Sequence, residues 1–376
     1  MTQAVNTLLP LSAALFASLL NPGVATAEDK VLPTVTVEAT AETPENTGYQ
    51  ATQTRVGKVA QDPHDIPQAV TTVTHQLMEE QQVGSLREAL RNVSGLTFNA
   101  AEGGRSGDNM MLRGFYTFGD IYLDGIRDTA QYNRETFNLE QIDVLRGAAA
   151  MLFGRGQAGG VINQVSKTPL LTDRNKVTAS LGTDDYGEVT GDFNKRLGET
   201  TALRVNVMNR DEGSWRFNPT TGDEPEIHRN GLAASLGIGL STDNEFILSH
   251  ITTTTDDKPD YGFSFDAATR EPNTNFPVDY YWGTFRNFDE SETNVTTLTY
   301  THRFVPKGEW RTQLRLGNYE RSYWARTPSA TQAPNAQGLV LGGAGGTTPN
   351  AGPTRTMDYE TLTLQSDVNL KFKTMG

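Results

Sequence analysis

The sequence predicts an α+β domain followed by part of an antiparallel transmembrane β-barrel. Three observations carry this reading. Residues 51–170 mix short strand-like and helix-like segments, whereas from about residue 176 long segments alternate polar and apolar positions with period two. The connections between those long segments alternate between tight turns and long loops. Hydrophobic residues make up only 36% of the 376, with 36 glycines and 12 tyrosines. That is lean for a water-soluble core of this length and ordinary for a wall that is apolar on one side only.

The chain opens on an address. Leu8 to Leu20 form an apolar run, followed by Asn21-Pro22-Gly23 and the A-x-A pattern Ala25-Thr26-Ala27. Residues 1–27 therefore read as a signal peptide. The run is shorter than the ~20 residues a spanning helix needs. Residues 1–29 contain no Lys or Arg, so the usual basic start is missing and an origin upstream of Met1 stays open. Residues 28–50, rich in Thr, Glu, Ala and Pro, have no period that could bury a face and read as a flexible tail. Within it, Leu32-Pro33-Thr34-Val35-Thr36-Val37-Glu38-Ala39-Thr40 is an isolated β-prone patch. It is either a stray edge strand or a segment that adds itself to another protein's sheet.

In residues 51–170, Gln68–Val73 reads as a strand and Thr74–Gln82 as a short helix. A second helix opens at Ser85, which forms a capping box with Glu88. Strands are expected at Met110–Phe115, Asp120–Ile126, Gln141–Arg146 and Gly160–Val165, and Lys167-Thr168-Pro169 closes the domain as a linker.

Residues 171–376 carry the alternation. Strands are expected at roughly 176–183, 187–197, 201–211, 229–240, 244–255, 293–304, 309–324 and 358–373. In the last, Leu362, Leu364, Val368, Leu370 and Phe372 face one way, opposite Thr361, Thr363, Gln365, Asp367, Asn369 and Lys371. The turns at Gly198-Glu199-Thr200, Ser241-Thr242-Asp243 and Pro306-Lys307-Gly308 are tight, and the intervening connections are long. Short turns at one end and long loops at the other mark an outer-membrane barrel. About eight strands enclose room for side chains only, whereas about 22 surround a plugged lumen. The chain is therefore expected to be a piece of a longer reading frame.

Composition excludes several functions. A formal charge of −13 disfavours a nucleic-acid partner, and the absence of cysteine removes disulfides, thiolate metal sites and cysteine nucleophiles. The histidines (His64, His75, His228, His250, His302) have no ligand spacing, so no metal site is expected. No catalytic constellation is legible, so an enzyme is not expected. Gly154-Arg155-Gly156-Gln157-Ala158-Gly159 matches a dinucleotide fingerprint, but the β-like Val161-Ile162-Asn163-Gln164-Val165 follows it where a helix is required.

Residues 61–169 resemble the plug domain of TonB-dependent receptors. The motifs stand in the family's order: Asp65-Ile66-Pro67-Gln68, Leu86-Arg87-Glu88-Ala89-Leu90, Val93-Ser94-Gly95-Leu96, Leu112-Arg113-Gly114-Phe115, Asp120-Ile121-Tyr122-Leu123-Asp124-Gly125 and Ile142-Asp143-Val144-Leu145-Arg146-Gly147. Leu152-Phe153-Gly154 and Gly159-Gly160-Val161-Ile162-Asn163 complete the set, with Ala148 where the family usually has proline. Residues 34–38 (Thr34, Val35, Thr36, Val37, Glu38) resemble its TonB box. Asp260-Tyr261-Gly262 and Asp289-Glu290-Ser291-Glu292 are similar to the catecholate subgroup.

The resemblance implies a receptor in the outer membrane of a Gram-negative bacterium that imports ferric siderophores, with iron arriving inside its chelator and no resident cofactor. Its partners would be TonB with the ExbB–ExbD motor, the ferric siderophore and outer-membrane lipid. A passive porin or adhesin-like barrel, and a receptor for haem or cobalamin, are the alternatives. By the same resemblance Arg113 and Arg146 lock the plug against barrel carboxylates in strands outside this chain. An anionic, flat-faced ferric catecholate calls for arginines and aromatic rings. The candidates are Arg105, Tyr116, Phe118 and Arg127 from the plug, and Tyr281, Trp282, Arg286 and Trp324 from the long loops.

Overall fold

A computed structural model describes residues 48–56, 58–98, 108–117, 119–154, 158–266, 268–304, 308–329, 333–339 and 353–370. All of them fall in one compact unit, Thr43–Gly376. Residues 34–38 and the signal-like segment lie outside the described residues.

The N-terminal domain is built on two small sheets. Strand β1 (Ala69–Thr74) leads into helix α1 (His75–Glu80), and the Thr74 side chain accepts from the Leu77 N–H. Helix α2 (Leu86–Ala89) opens on the expected capping box: Ser85 Oγ accepts from the Glu88 N–H, and the Glu88 carboxylate accepts from the Ser85 N–H. Then follow β2 (Leu96–Phe98), β3 (Met110–Leu112), β4 (Phe115–Tyr116), β5 (Ile121–Leu123), β6 (Ile126–Arg127), β7 (Leu139–Arg146), α3 (Ala150–Phe153) and β8 (Gly160–Ser166). One sheet has the order β1-β7-β8-β5-β6, with β5 parallel to β8, and the other is β2-β3-β4. Leu86, Leu90, Met110, Leu112, Ile142 and Ile162 are among the buried side chains between them.

Two expected strands turn out to be hairpins. Leu112 pairs with Phe115 around Arg113-Gly114, and Leu123 pairs with Ile126 around Asp124-Gly125. Arg113 (φ 53°), Gly114 (82°), Asp124 (52°) and Gly125 (82°) all have positive φ, the requirement of a two-residue turn that matches strand twist. Residues 160–166 are a strand, so the glycine run before them opens no helix.

The second half is one eight-stranded antiparallel meander in chain order: β9 (Arg174–Leu181), β10 (Gly187–Arg196), β11 (Thr201–Glu212), β12 (Ile227–Ile238), β13 (Asn244–Asp257), β14 (Phe288–Phe304), β15 (Gly308–Trp324) and β16 (Thr354–Leu370). Every expected strand is present. The connections at 197–200 and 239–243 are tight; 305–307 lies outside the described residues. One face of the sheet is apolar and open, with Leu362 and Leu364 each 72% exposed. Near the tight-turn end that face carries packed rings, Phe246 tilted against Tyr300 (4.7 Å) and Tyr300 edge-on to Trp310 (5.9 Å). Aromatic residues at the edge of an apolar band suit a membrane interface. The opposite face is polar and covers the N-terminal domain.

Candidate functional site

The chemistry of the molecule concentrates where the polar face of the large sheet meets the N-terminal domain. Parity explains the arrangement. On β11, Arg204, Asn206 and Arg210 share one side, while Leu203, Val205 and Val207 take the other. On β15, Arg315, Tyr319 and Arg321 point inward, and Leu314 and Leu316 outward. A guanidinium on an inward position is buried against the domain and must find acceptors there.

It finds them along residues 123–135, a strap that runs up the inner face. Arg315 Nη1 donates to the Leu123 carbonyl (2.9 Å) and Arg311 Nη1 to that of Asp124 (3.3 Å). Gln365 Nε2 donates to the Gly125 carbonyl (3.4 Å), and the Thr129 and Tyr359 hydroxyls share a hydrogen bond (3.0 Å). Higher up, Arg321 Nη1 donates to the Gln131 carbonyl (3.1 Å) while its other nitrogens hold the buried Asp289. Tyr132 packs on Tyr319 at 5.6 Å between ring centroids. Lower down, Lys58 pairs with Asp367 (3.4 Å) and Lys176 with Glu79 (2.6 Å). Glu79 also accepts from His75, and together they hold its carboxyl down at about 2, with the His75 hydrogen bond first.

Two buried knots stiffen the strap. Inside the domain, Arg134 Nε donates to Asp128 (2.9 Å), Nη1 reaches Asp108 (3.4 Å), and Nη2 donates to the Ala130 carbonyl (2.9 Å). Its guanidinium lies 4.1 Å over the Tyr132 ring, and the Tyr132 hydroxyl donates to Asp128. Burial pushes the Asp108 carboxyl up against the pull of Arg134. One residue later, Glu135 accepts from Arg229 Nη1 (2.6 Å) and Arg210 Nη2 (3.2 Å), Arg210 Nη1 forms an ion pair with its other oxygen (3.1 Å), and Arg229 also holds Asp257 (2.6 Å).

The expected linker is likewise held. Arg204 Nη1 donates to the Thr168 carbonyl (2.9 Å), Lys167 reaches Asp192 (3.4 Å), and the Asn194 amide accepts from and donates to Leu170.

The long loops form a layer of their own. Arg216 donates to Asp260 and to the Gly262 and Tyr280 carbonyls, tying 213–226 to 258–287. Phe276, Tyr280 and Trp282 pack ring to ring, Phe276–Trp282 at 4.4 Å. Two of the ligand candidates, Tyr281 and Trp282, are 0% and 2% exposed and pack in the core of the loop layer. Trp324 ends β15 half-buried beneath Arg326 (5.3 Å). Tyr116 (67% exposed), Arg127 and Arg286 do present side chains. Arg127 is steadied by Asp120 (3.2 Å), and Arg286 by the Gln337 carbonyl (3.0 Å). Arg105 and Phe118 lie outside the described residues.

Arg113 and Arg146 stand apart from the strap. Arg146 donates to Ser94 and Thr71 within the domain, and Arg113 sits in its hairpin beside Gly147. Among the described residues neither meets a carboxylate of the large sheet. Along the strap the sheet supplies the arginines and the domain the acceptors, while Lys58 and Lys167 reach Asp367 and Asp192 of the sheet in the other direction. Sequence reasoning missed Arg204, Arg210, Arg229, Arg315 and Arg321, although their inward parity was legible.

The family model of the TonB-dependent receptor plug domain matches residues 62–161. A probable TonB-dependent siderophore receptor, PiuA, of Acinetobacter baumannii is 33% identical over 315 residues, covering 82% of this chain and 41% of its own length. The catecholate siderophore receptor Fiu of Escherichia coli K12 is 31% identical, over 73% of this chain and 37% of its own. The crystal structure of the Acinetobacter receptor superposes with a TM-score of 0.74 at 28% identity, over 88% of this chain and 46% of the other. The chain thus spans about two fifths of the length of the curated relatives it matches.

Proposed function

The chain belongs to the TonB-dependent receptors, and on that premise we propose that it serves energised import of ferric siderophores, of catecholate type, across the outer membrane. The observation that carries the proposal is the grip of the polar face of β10–β16 on a plug domain. A passive pore needs no domain held across its lumen. The carrier of iron is the siderophore, so the ligand site needs cations and rings, not metal-binding side chains. Tyr116, Arg127 and Arg286 are the candidates that offer them, with Arg105 and Phe118 in the same stretches of chain. Residues 34–38 add a strand to TonB, and Arg113 and Arg146 hold the plug to the wall opposite this one.

The coupling strand gives a direct test. Proline at position 35 removes a main-chain donor from the strand that pairs with TonB. In the full-length receptor, Val35→Pro is expected to abolish ferric-siderophore uptake while cell-surface binding stays at the wild-type level. Normal uptake by this variant would sink the assignment of the box.

A further inference from the structure

The motif Asp260-Tyr261-Gly262 folds as a turn shaped for one guanidinium. Asp260 Oδ1 accepts from the Gly262 N–H (2.8 Å), and Gly262 has φ 74°, a backbone that glycine adopts without strain. The turn aims two acceptors at Arg216 from the neighbouring loop. The other Asp260 oxygen pairs with Nη1, and the Gly262 carbonyl accepts from Nη2 (3.2 Å). The guanidinium also donates to the Tyr280 carbonyl and lies 4.4 Å from the Phe263 ring centroid. A planar fork suits acceptors set in this way, and an ammonium does not.

We propose that Arg216 is a positioning residue for ligand capture, a role that rests on the catecholate reading of the ligand. With the Asp260-Tyr261-Gly262 turn it locks residues 213–226 and 258–287 into one body. That body holds the Phe285 ring and the Arg286 guanidinium out as the contact for a ferric catecholate.

The lock reaches the contact pair through a series of hydrogen bonds. Beyond Tyr280 the Tyr281 N–H donates to the Phe217 carbonyl (2.9 Å), and the Gly283 carbonyl accepts from the Asn218 side-chain amide (2.9 Å). The Phe285 N–H donates to the Asp223 carboxylate (2.7 Å), and the Asn287 side-chain amide donates to the Pro259 carbonyl (3.4 Å). Phe217, Asn218 and Asp223 follow Arg216 in its own loop, so freeing Arg216 frees their partners. At the end of the series the Phe285 ring is 56% exposed, and the exposed Arg286 guanidinium lies 5.4 Å from it. Arg286 Nε is steadied by a neutral group, the Gln337 carbonyl (3.0 Å). Beside it Arg326 lies over the Trp324 ring (5.3 Å), and burial, then the charge of Arg286, hold Arg326 below the ordinary guanidinium range. Two cations flanked by two rings match an anionic, flat-faced ligand.

The test is the affinity of the purified full-length receptor for iron(III) tris-catecholate, read by quenching of tryptophan fluorescence. Arg216→Ala is expected to weaken binding roughly tenfold, the worth of one charge-assisted hydrogen bond. Asp260→Asn, which keeps the turn and loses the charge, is expected to weaken it less and carries the test if the alanine variant does not fold. A mutant cycle separates positioning from a general structural role. With Phe285→Ala and Arg286→Ala already in place, adding Arg216→Ala should change affinity by less than about twofold. Wild-type affinity in both Arg216→Ala and Asp260→Asn overturns the role. So does an undiminished loss in the Phe285→Ala, Arg286→Ala background, because Arg216 would then act elsewhere. If wild type binds no iron(III) tris-catecholate, the catecholate reading fails and amide exchange decides the lock by itself. Arg216→Ala should then speed exchange at Phe285 and Asn287 about tenfold or more while β11–β12 keeps its protection. Unchanged exchange at Phe285 overturns the lock.

Discussion

Replacing Arg134 with alanine is expected to unfold the plug more readily than any other single change in the strap. The side chain is 4% exposed and serves Asp128, Asp108 and main-chain carbonyls at 130 and 132 at once. Removing it leaves two carboxylates, 2% and 4% exposed, with no cation between them. Breaking a buried pair in this way typically costs ~3–5 kcal/mol, a large share of the ~5–15 kcal/mol that holds a domain folded. Lysine is a poor substitute, because an ammonium cannot fork between acceptors set around a plane. Proteolysis of the plug in the purified full-length receptor, at increasing denaturant, checks the effect. Arg134→Ala should be cleaved at clearly lower denaturant, and adding Asp128→Asn should recover part of the loss. A wild-type profile for Arg134→Ala would show that the acids are satisfied without it.

The loop layer should be almost as sensitive to Trp282→Ala. Trp282 is 2% exposed and packs edge-on to Phe276 (4.4 Å) and against Tyr280 (5.0 Å). Truncating a buried tryptophan costs ~3–5 kcal/mol. Here the loss falls on a local unit, since the loops are joined to each other by the Phe217 N–H to Asp279 and Tyr281 N–H to Phe217 bonds more than to the sheet. Amide exchange should therefore accelerate by roughly two to three orders of magnitude at Phe217 and Tyr281. The β11–β12 amides should keep their protection. Unchanged exchange in the loops would mean that Trp282 is not their core.

The wall was legible in the sequence because its alternation is local: each strand states its own two faces, and the turn lengths state its ends. The plug was legible through ordered motifs, yet its short strands were not. Leu96–Phe98 has three residues and gains its identity from Met110–Leu112, a partner well separated along the chain that no local pattern announces. Met110–Phe115 and Asp120–Ile126 looked continuous because their apolar residues mask the Arg113-Gly114 and Asp124-Gly125 turns, although an Asp-Gly pair is itself a hairpin signal. Residue type alone does not separate a ring that faces a ligand from one that fills a loop core, and only the packed structure shows Tyr281 and Trp282 buried. The inward arginines were overlooked for a related reason. Parity says which way Arg204, Arg229 or Arg321 points, but only the packed structure says that an acceptor on the plug waits there.

Whether uptake is energised separates a coupled receptor from a passive pore. The decisive measurement is the accumulation of a radiolabelled ferric catecholate by cells expressing the full-length receptor, before and after the proton gradient is dissipated. Rapid accumulation is expected with the gradient, none without it, and unchanged binding at the cell surface in both conditions. Accumulation that continues at the same rate after the gradient is removed would make the protein a passive pore and rule out energised import.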